Sequence, residues 1–205
     1  VSAAVERMRV HFSSPVQVLV CAAAIQGTVG PFAESNPKHW ADVLQTNLAG
    51  VMNACRAVLP EMIQRRQGKI IVLIGGTGSQ ARPNFAVYAA TKSAAVSFVE
   101  SVAEEVRDHN VQINCMVPGA SYTHMTDQVL AAGERAGWRE IEEAQQVRLT
   151  GGVPAEKQSA LAWFLASEQS NHISGRLIHV LDDWKRLREG SLKPEQYMLR
   201  RVQQK

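Results

Sequence analysis

The sequence predicts an α/β fold, a doubly wound parallel sheet with helices on both faces. Two observations carry this. Four short runs, "VQVLVCA" (16–22), "KIIVLI" (69–74), "VQINCMV" (111–117) and "GRLIHVL" (175–181), are rich in β-branched residues and nearly continuous in apolar character, as strands buried on both faces are. The segments between them are long and have apolar residues at helical spacing, so strand and helix alternate along the chain. That order implies right-handed crossovers and a parallel sheet.

The elements follow in order. "VSAAVERMRVHF" (1–12) reads as a helix with Val1, Val5, Met8 and Phe12 on one face. After strand 16–22, residues 36–66 read as one long helix, capped by Asn36 with Pro37 in its first turn. Strand 69–74 runs into the glycine-rich "GGTGSQ", and helix 86–109 follows. Strand 111–117 is stopped by Pro118–Gly119. A loop-plus-helix segment spans 120–150, a helix 155–167, the last strand 175–181, and a polar tail 182–205. The whole is expected to be one domain, with a thin sheet of four strands. The chain opens on a helix that leads straight into a strand, without a preceding strand or glycine-rich first turn.

Composition narrows the function classes. With 45% hydrophobic and 20% charged residues the chain is of ordinary globular type. A net charge of +3 without a Lys/Arg cluster argues against nucleic acid as a partner. The longest apolar run, 16–25, is too short to span a bilayer, and the first residues do not read as a signal peptide. Cys21, Cys55 and Cys115 have no ligand spacing and form an odd set, which points to a reducing compartment and so to the cytoplasm. His124 and His179 stand alone, so no metal site is expected.

Two stretches bear on chemistry. Gly76, Gly78 and Ala81 fit G-x-G-x-x-A after a strand, a weak dinucleotide fingerprint. Pro83 breaks the helix that should follow, and no strand-end acid lies about twenty positions on to hold a ribose. In "NFAVYAATKSAAVSF", Tyr88 and Lys92 are four residues apart and share a helix face. A phenol titrates at about pH 10, and an adjacent ammonium favours the phenolate, a shift toward proton exchange with an alcohol or ketone. The same spacing also suits an idle surface pair.

The ordered set "VLVCAAAIQG", "WADVLQTNLAGVMNACRAVLPEM", "GKIIVLIGGTGSQARPNFAVYAATKSAAVSF", "VQINCMVPGASYTHM" and "SGRLIHVLDD" resembles the short-chain dehydrogenase/reductase family over nearly the whole chain, from the helix before that family's fourth strand to its C-terminus. The resemblance implies a Rossmann-like fold that lacks the family's opening third, its first three strands and cofactor loop. It makes "IVLIGGTGSQ" the fifth family strand and the loop to the catalytic helix, not the phosphate cradle. It makes Tyr88 the general acid/base. Lys92 becomes the residue that lowers the tyrosine pKa and holds the nicotinamide ribose, and Asn47 the organiser of a proton-relay water. Pro118, Gly119 and Thr123 match the loop against the nicotinamide. Ala23 and Ala24 fall in the cofactor-facing turn after the first strand. On the residues alone, Asn47 also suits a buried helix kink, and Pro118–Gly119 a plain strand stop.

There are two departures. The family's N-N-A-G is here Cys21-Ala22-Ala23-Ala24. Its catalytic serine should fall near position 75, where Ile74-Gly75-Gly76 stand. Thr77 and Ser79 are the nearby hydroxyls that substitute if the loop curls back, and both also suit simple loop bonding.

The resemblance thus implies an NAD- or NADP-dependent oxidoreductase interconverting a small-molecule carbonyl and a secondary alcohol. The alternative is a catalytically silent relative that binds a ligand or partner subunit. Segment 120–150 matches the substrate lid, with Met125, Val129, Leu130 and Trp138 either lining an apolar pocket or belonging to the core. "REIEEAQQVR" within it reads as a solvated helix face, and 182–205 as a solvated or subunit-packing arm. A homodimer or homotetramer is expected through the small-residue face of helix 86–109. Strand 16–22 is expected to have a further neighbour outside these residues.

Overall fold

The structure, a computed structural model, describes residues 1–188, 192–193 and 196–199. Its sheet has four parallel strands, β1 (Val18–Cys21), β2 (Gly68–Leu73), β3 (Val111–Val117) and β4 (Leu177–His179), in the order β1-β2-β3-β4. Parallel pairing aligns Cys21 with Val72, Leu73 with Met116 and Val117 with His179, so the carboxyl ends of all four strands open on one edge. In such sheets that edge is where ligands bind.

The helices are α1 (Ser2–Phe12), α2 (Pro37–Leu44), α3 (Gly50–Arg65), α4 (Ala86–Glu105), α5 (His124–Ala132), α6 (Trp138–Thr150) and α7 (Ala155–Ala166). α3 and α4 cover one sheet face, burying Cys55, Met62, Val96 and Val99 against Ile70, Val72 and Ile113. α7 covers the other, with Leu161, Phe164 and Leu165 against Ile71, Met116 and Ile178. Helices on both faces are what continuous apolar strands require.

Four expectations change. β1 is not buried on both faces: Leu19 and Cys21 pack toward α3, while Val18 and Val20 are 39% and 50% exposed. Among the described residues β2 is its only partner, which leaves an unpaired edge. The face expected on α1 is mostly in solvent; Val5 alone of its four residues packs against the core. The helix expected over 36–66 is interrupted by a π-helical segment, Gln45–Ala49, centred on Asn47. Finally, the start of the tail is not solvated. Residues Trp184–Arg188 form a 3₁₀ turn that buries Trp184 and Leu187 beside α7, with Trp184 stacked on Phe164 at 5.4 Å.

Residues 120–153 leave and rejoin the sheet at one point. A single antiparallel bridge pairs Ser121 with Gly152, and Val153 N–H donates to Ala120 O at 2.8 Å. Gly152 has φ +78°, and a Cβ there would sit 2.2 Å from Ala120 O, so this closure admits only glycine.

Candidate active site

Tyr88 and Lys92 lie one turn apart on α4, near its N-terminal end and close to the carboxyl edge of the sheet. Both are buried, at 7% and 5% exposure. Lys92 Nζ is 5.6 Å from the Tyr88 ring centre and donates to the Leu73 carbonyl at the end of β2, 3.1 Å away. Burial pushes the Lys92 ammonium below its ordinary pKa, with the Cys115 thiol opposing. Burial likewise pushes the Tyr88 phenol up, and the Arg82 cation pulls it partly back. The spacing suggests a lowered phenol; here burial outweighs the Arg82 charge and the phenol lies above its ordinary value.

Asn47 reaches this turn from the π-helical segment. Its Oδ1 accepts the Ile25 N–H at 2.8 Å, and its Nδ2 donates to Ile25 O at 2.8 Å and to Thr91 Oγ1 at 3.2 Å. Thr91 Oγ1 in turn donates to the Tyr88 carbonyl at 2.7 Å. The side chain is therefore occupied in tying the loop after β1, which carries Ala23 and Ala24, to the Tyr88 turn. Of these two, Ala23 is exposed and Ala24 half-buried. Asn47 is a buried helix distortion, of the π type found often at functional sites, and it lies beside the candidate pair.

Pro118 and Gly119 follow β3 at the same edge. Gly119 has φ +75°, and a Cβ would meet Val153 Cγ2 at 2.6 Å, so glycine is needed for the close approach. Thr123 is exposed and begins α5, where its N–H donates to Thr126 Oγ1 at 3.1 Å. In the glycine-rich turn, Gly76–Gly78 form a short 3₁₀ turn. Ser79 beyond it is exposed; the Thr77 side chain lies outside the described residues.

Residues 124–150 close over Tyr88. Phe85, Tyr88, Val129, Ala136 and Ala144 form one buried cluster, with Met125, Leu130 and Ile141 packed on it. Three of the four expected apolar lid residues thus belong to this cluster, whereas Trp138 is 72% exposed and outside it. "REIEEAQQVR" is not wholly solvated, since Ala144 and Val147 are buried and Glu140 is held by Arg82. Sequence reasoning also passed over Thr91, Arg82 and Gln26. Gln26 is 4% exposed with Nε2 unpartnered among the described residues. Only Thr91, inside the Tyr–Lys motif, had a local signal. Among the described residues there is no metal-ligand cluster, and no helix is long and apolar enough to cross a membrane.

Parallel strands between two helical layers, with ligand-facing carboxyl ends on one edge, define a Rossmann-like α/β fold. The sequence model of the family described as short chain dehydrogenase matches residues 1–133, and the chain belongs to that family. Among individual proteins it is similar to the 3-oxoacyl-[acyl-carrier-protein] reductase FabG of Chlamydia muridarum, 34% identical over 143 residues, covering 70% of this chain and 55% of the relative. It is 31% identical over 180 residues to FabG of Escherichia coli K12, covering 88% and 70%. The chain thus spans little more than half of the Chlamydia relative. Among solved structures, a gluconate 5-dehydrogenase from Burkholderia cenocepacia J2315 in complex with NADP and tartrate aligns with a TM-score of 0.74 at 26% identity, over 87% of this chain and 68% of that one. NAD+-bound xylitol dehydrogenase aligns with a TM-score of 0.76 at 23% identity, over 87% and 72%, which shows the Rossmann-like fold alone.

Proposed function

We propose that the chain carries the reaction centre of an NAD(P)-dependent oxidoreductase acting on a small-molecule carbonyl or secondary alcohol. The observation that carries this reading is the buried Tyr88–Lys92 turn, tied by Thr91 and Asn47 to the edge where the strands end. Its residues fit the nicotinamide end of such a cofactor. Lys92 Nζ has one protein partner among the described residues, the Leu73 carbonyl, and an ammonium has three donors, so two remain for ribose hydroxyls. Pro118, Gly119 and Thr123 would hold the nicotinamide, with Ala23 and Ala24 contributing backbone. The cofactor, when bound, supplies or accepts the hydride.

Tyr88 exchanges the proton. Its phenol is raised by burial and so is protonated at neutral pH, the form that can donate to a carbonyl oxygen. Both Asn47 Nδ2 hydrogens are taken and its Oδ1 holds the Ile25 N–H, so a relay water would meet its main chain. Segment 120–150 acts as the lid, and its apolar inner face suits an apolar carbonyl substrate. A second reading, a silent relative that binds without turnover, is favoured by Gly75 at the serine position and by the exposure of Ser79.

The free thiols of Cys21, Cys55 and Cys115 suit the cytoplasm. Ala90, Ser93 and Ser97 give α4 an exposed small-residue face, which supports pairing with a second copy into a dimer or tetramer. Light scattering showing a monomer at micromolar concentration would remove that part. The central experiment titrates purified protein with NADH and NADPH by nicotinamide fluorescence, then compares ketone reduction by the wild type and Tyr88→Phe. Binding with turnover abolished in the variant is expected. Equal rates exclude Tyr88, and binding without turnover in either protein selects the silent reading.

A further inference from the structure

We infer that Arg82 is a positioning residue that latches α6 over Tyr88 through Glu140. The inference rests on Tyr88 being the proton donor, but its contacts stand independently. Arg82 Nε and one terminal nitrogen donate to the two oxygens of Glu140 at 2.9 and 2.6 Å, a fork-to-fork pair between residues 58 apart in sequence. Each side chain is 20% exposed, whereas every other ion pair among the described residues joins side chains at least 51% exposed. Exposed pairs contribute little; a desolvated bidentate one fixes geometry, and loss of either partner strands a charge.

The latch faces the candidate site. The Arg82 guanidinium lies 3.9 Å from the Phe85 ring centre and 5.8 Å from that of Tyr88. A secondary tie runs beside it: Asn84 Nδ2 donates to Ala136 O at 3.2 Å, and Gly30 N–H donates to Asn84 O at 2.9 Å. Tyr88 is buried under Val129, Ala136 and Ala144, so a substrate reaches it only when these residues move. Because Ala144 and Glu140 share α6, lifting that helix from Tyr88 separates Glu140 from Arg82. Closure returns Glu140 to Arg82 and fixes the guanidinium beside Tyr88, where its charge opposes the effect of burial on the phenol. The charged groups placed around Tyr88 are Arg82, its counter-charge Glu140, and Lys92.

Hydrogen exchange of the protein without added substrate tests the latch apart from catalysis. In Arg82→Gln and in Glu140→Gln, amides of α5 and α6 should exchange at least about tenfold faster while β2 and β3 stay unchanged. The double variant Arg82→Glu with Glu140→Arg should restore part of the protection. Unchanged exchange in both single variants, or equal acceleration throughout the sheet, overturns the inference. A second readout is the Tyr88 phenolate absorbance, taken as the difference from Tyr88→Phe. Arg82→Gln should move its titration upward and Arg82→Lys less so, and an unmoved titration overturns the link to Tyr88. Ketone reduction that survives Tyr88→Phe would instead defeat the catalytic reading and leave the exchange result intact.

Discussion

Replacing Asn47 by alanine should separate its structural work from any chemical one. Asn47 is 1% exposed and makes three hydrogen bonds, two of them to both backbone groups of Ile25. Alanine removes all three and leaves the Ile25 N–H and C=O without protein partners. A stranded buried group costs about 1–3 kcal/mol. The Ile25 residue is 39% exposed, so water recovers part of that, and a total loss of about 2–4 kcal/mol follows for the three bonds. For a chain of this size that is a Tm lowered by about 4–16 °C. Thr91→Val, which keeps both Ile25 bonds, should cost about 1 kcal/mol. Urea unfolding followed by circular dichroism measures both, with unchanged m values required for the comparison. A loss below about 0.5 kcal/mol for Asn47→Ala, the range of neutral surface changes, would refute the clamp. Loss of turnover at full stability would place its role in the chemistry alone.

Lys69 should make stability rise with alkalinity. It is buried on β2 with Nζ donating to Ser170 Oγ at 3.1 Å, and burial lowers its pKa to about 8 while Glu168 opposes. An unfolded lysine titrates at about 10.4, so between pH 8 and that value the unfolded state binds more protons and stability increases with pH. The rise should be present in the wild type and absent in Lys69→Met; parallel urea midpoints for the two proteins from pH 7 to 10 would disprove it. Gly75→Ser should raise carbonyl reduction by about 10²-fold if that position lacks only its hydroxyl, the scale for one oxyanion donor. Steady-state rates on one ketone decide, and an unchanged rate means that the substrate oxygen is held elsewhere.

What the sequence makes legible is what depends on neighbours in sequence. β2 and β3 are nearly continuous apolar runs, so their burial and parallel pairing can be read directly. Tyr88 and Lys92 are one helical turn apart, so their shared face can be read too. The remainder depends on distant partners. β1 has the same apolar composition as β2, yet α7 does not cover it, so Val18 and Val20 face solvent. The π-helical break at Gln45–Ala49 carries no proline or glycine; what Asn47 grips there is the Ile25 backbone, 22 residues away. The Arg82–Glu140 pair sits in two stretches that each look solvated alone. Trp184 and Leu187, three apart in a charged tail, form an apolar face that has meaning only against Phe164. The direction of the Tyr88 pKa likewise follows from burial by α5 and α6, which spacing on α4 does not encode.

The glycine-rich turn shows that backbone geometry does not require the missing serine to be glycine. Gly78 is under a packing constraint: a Cβ there would lie 2.3 Å from Ile74 Cγ2 and 3.3 Å from Val96 Cγ2, and its carbonyl accepts from Ser93 Oγ at 3.3 Å. Gly75 differs. Its φ of −69° and ψ of 164° are open to any residue, and its carbonyl accepts the Gly78 N–H that closes the turn. The backbone conformation at Gly75 would therefore accept a serine, and conformation alone does not account for the glycine. If Tyr88 acts as proposed, a carbonyl oxygen with one donor gone would depend on that phenol for its hydrogen bond, at a cost of about 10²–10³ in rate. A site so reduced relies more heavily on how Tyr88 is placed and how water is kept from it. On the proposed reading those tasks would fall to the apolar cover of α5 and α6, and to the Arg82–Glu140 pair that ties α6 beside Tyr88.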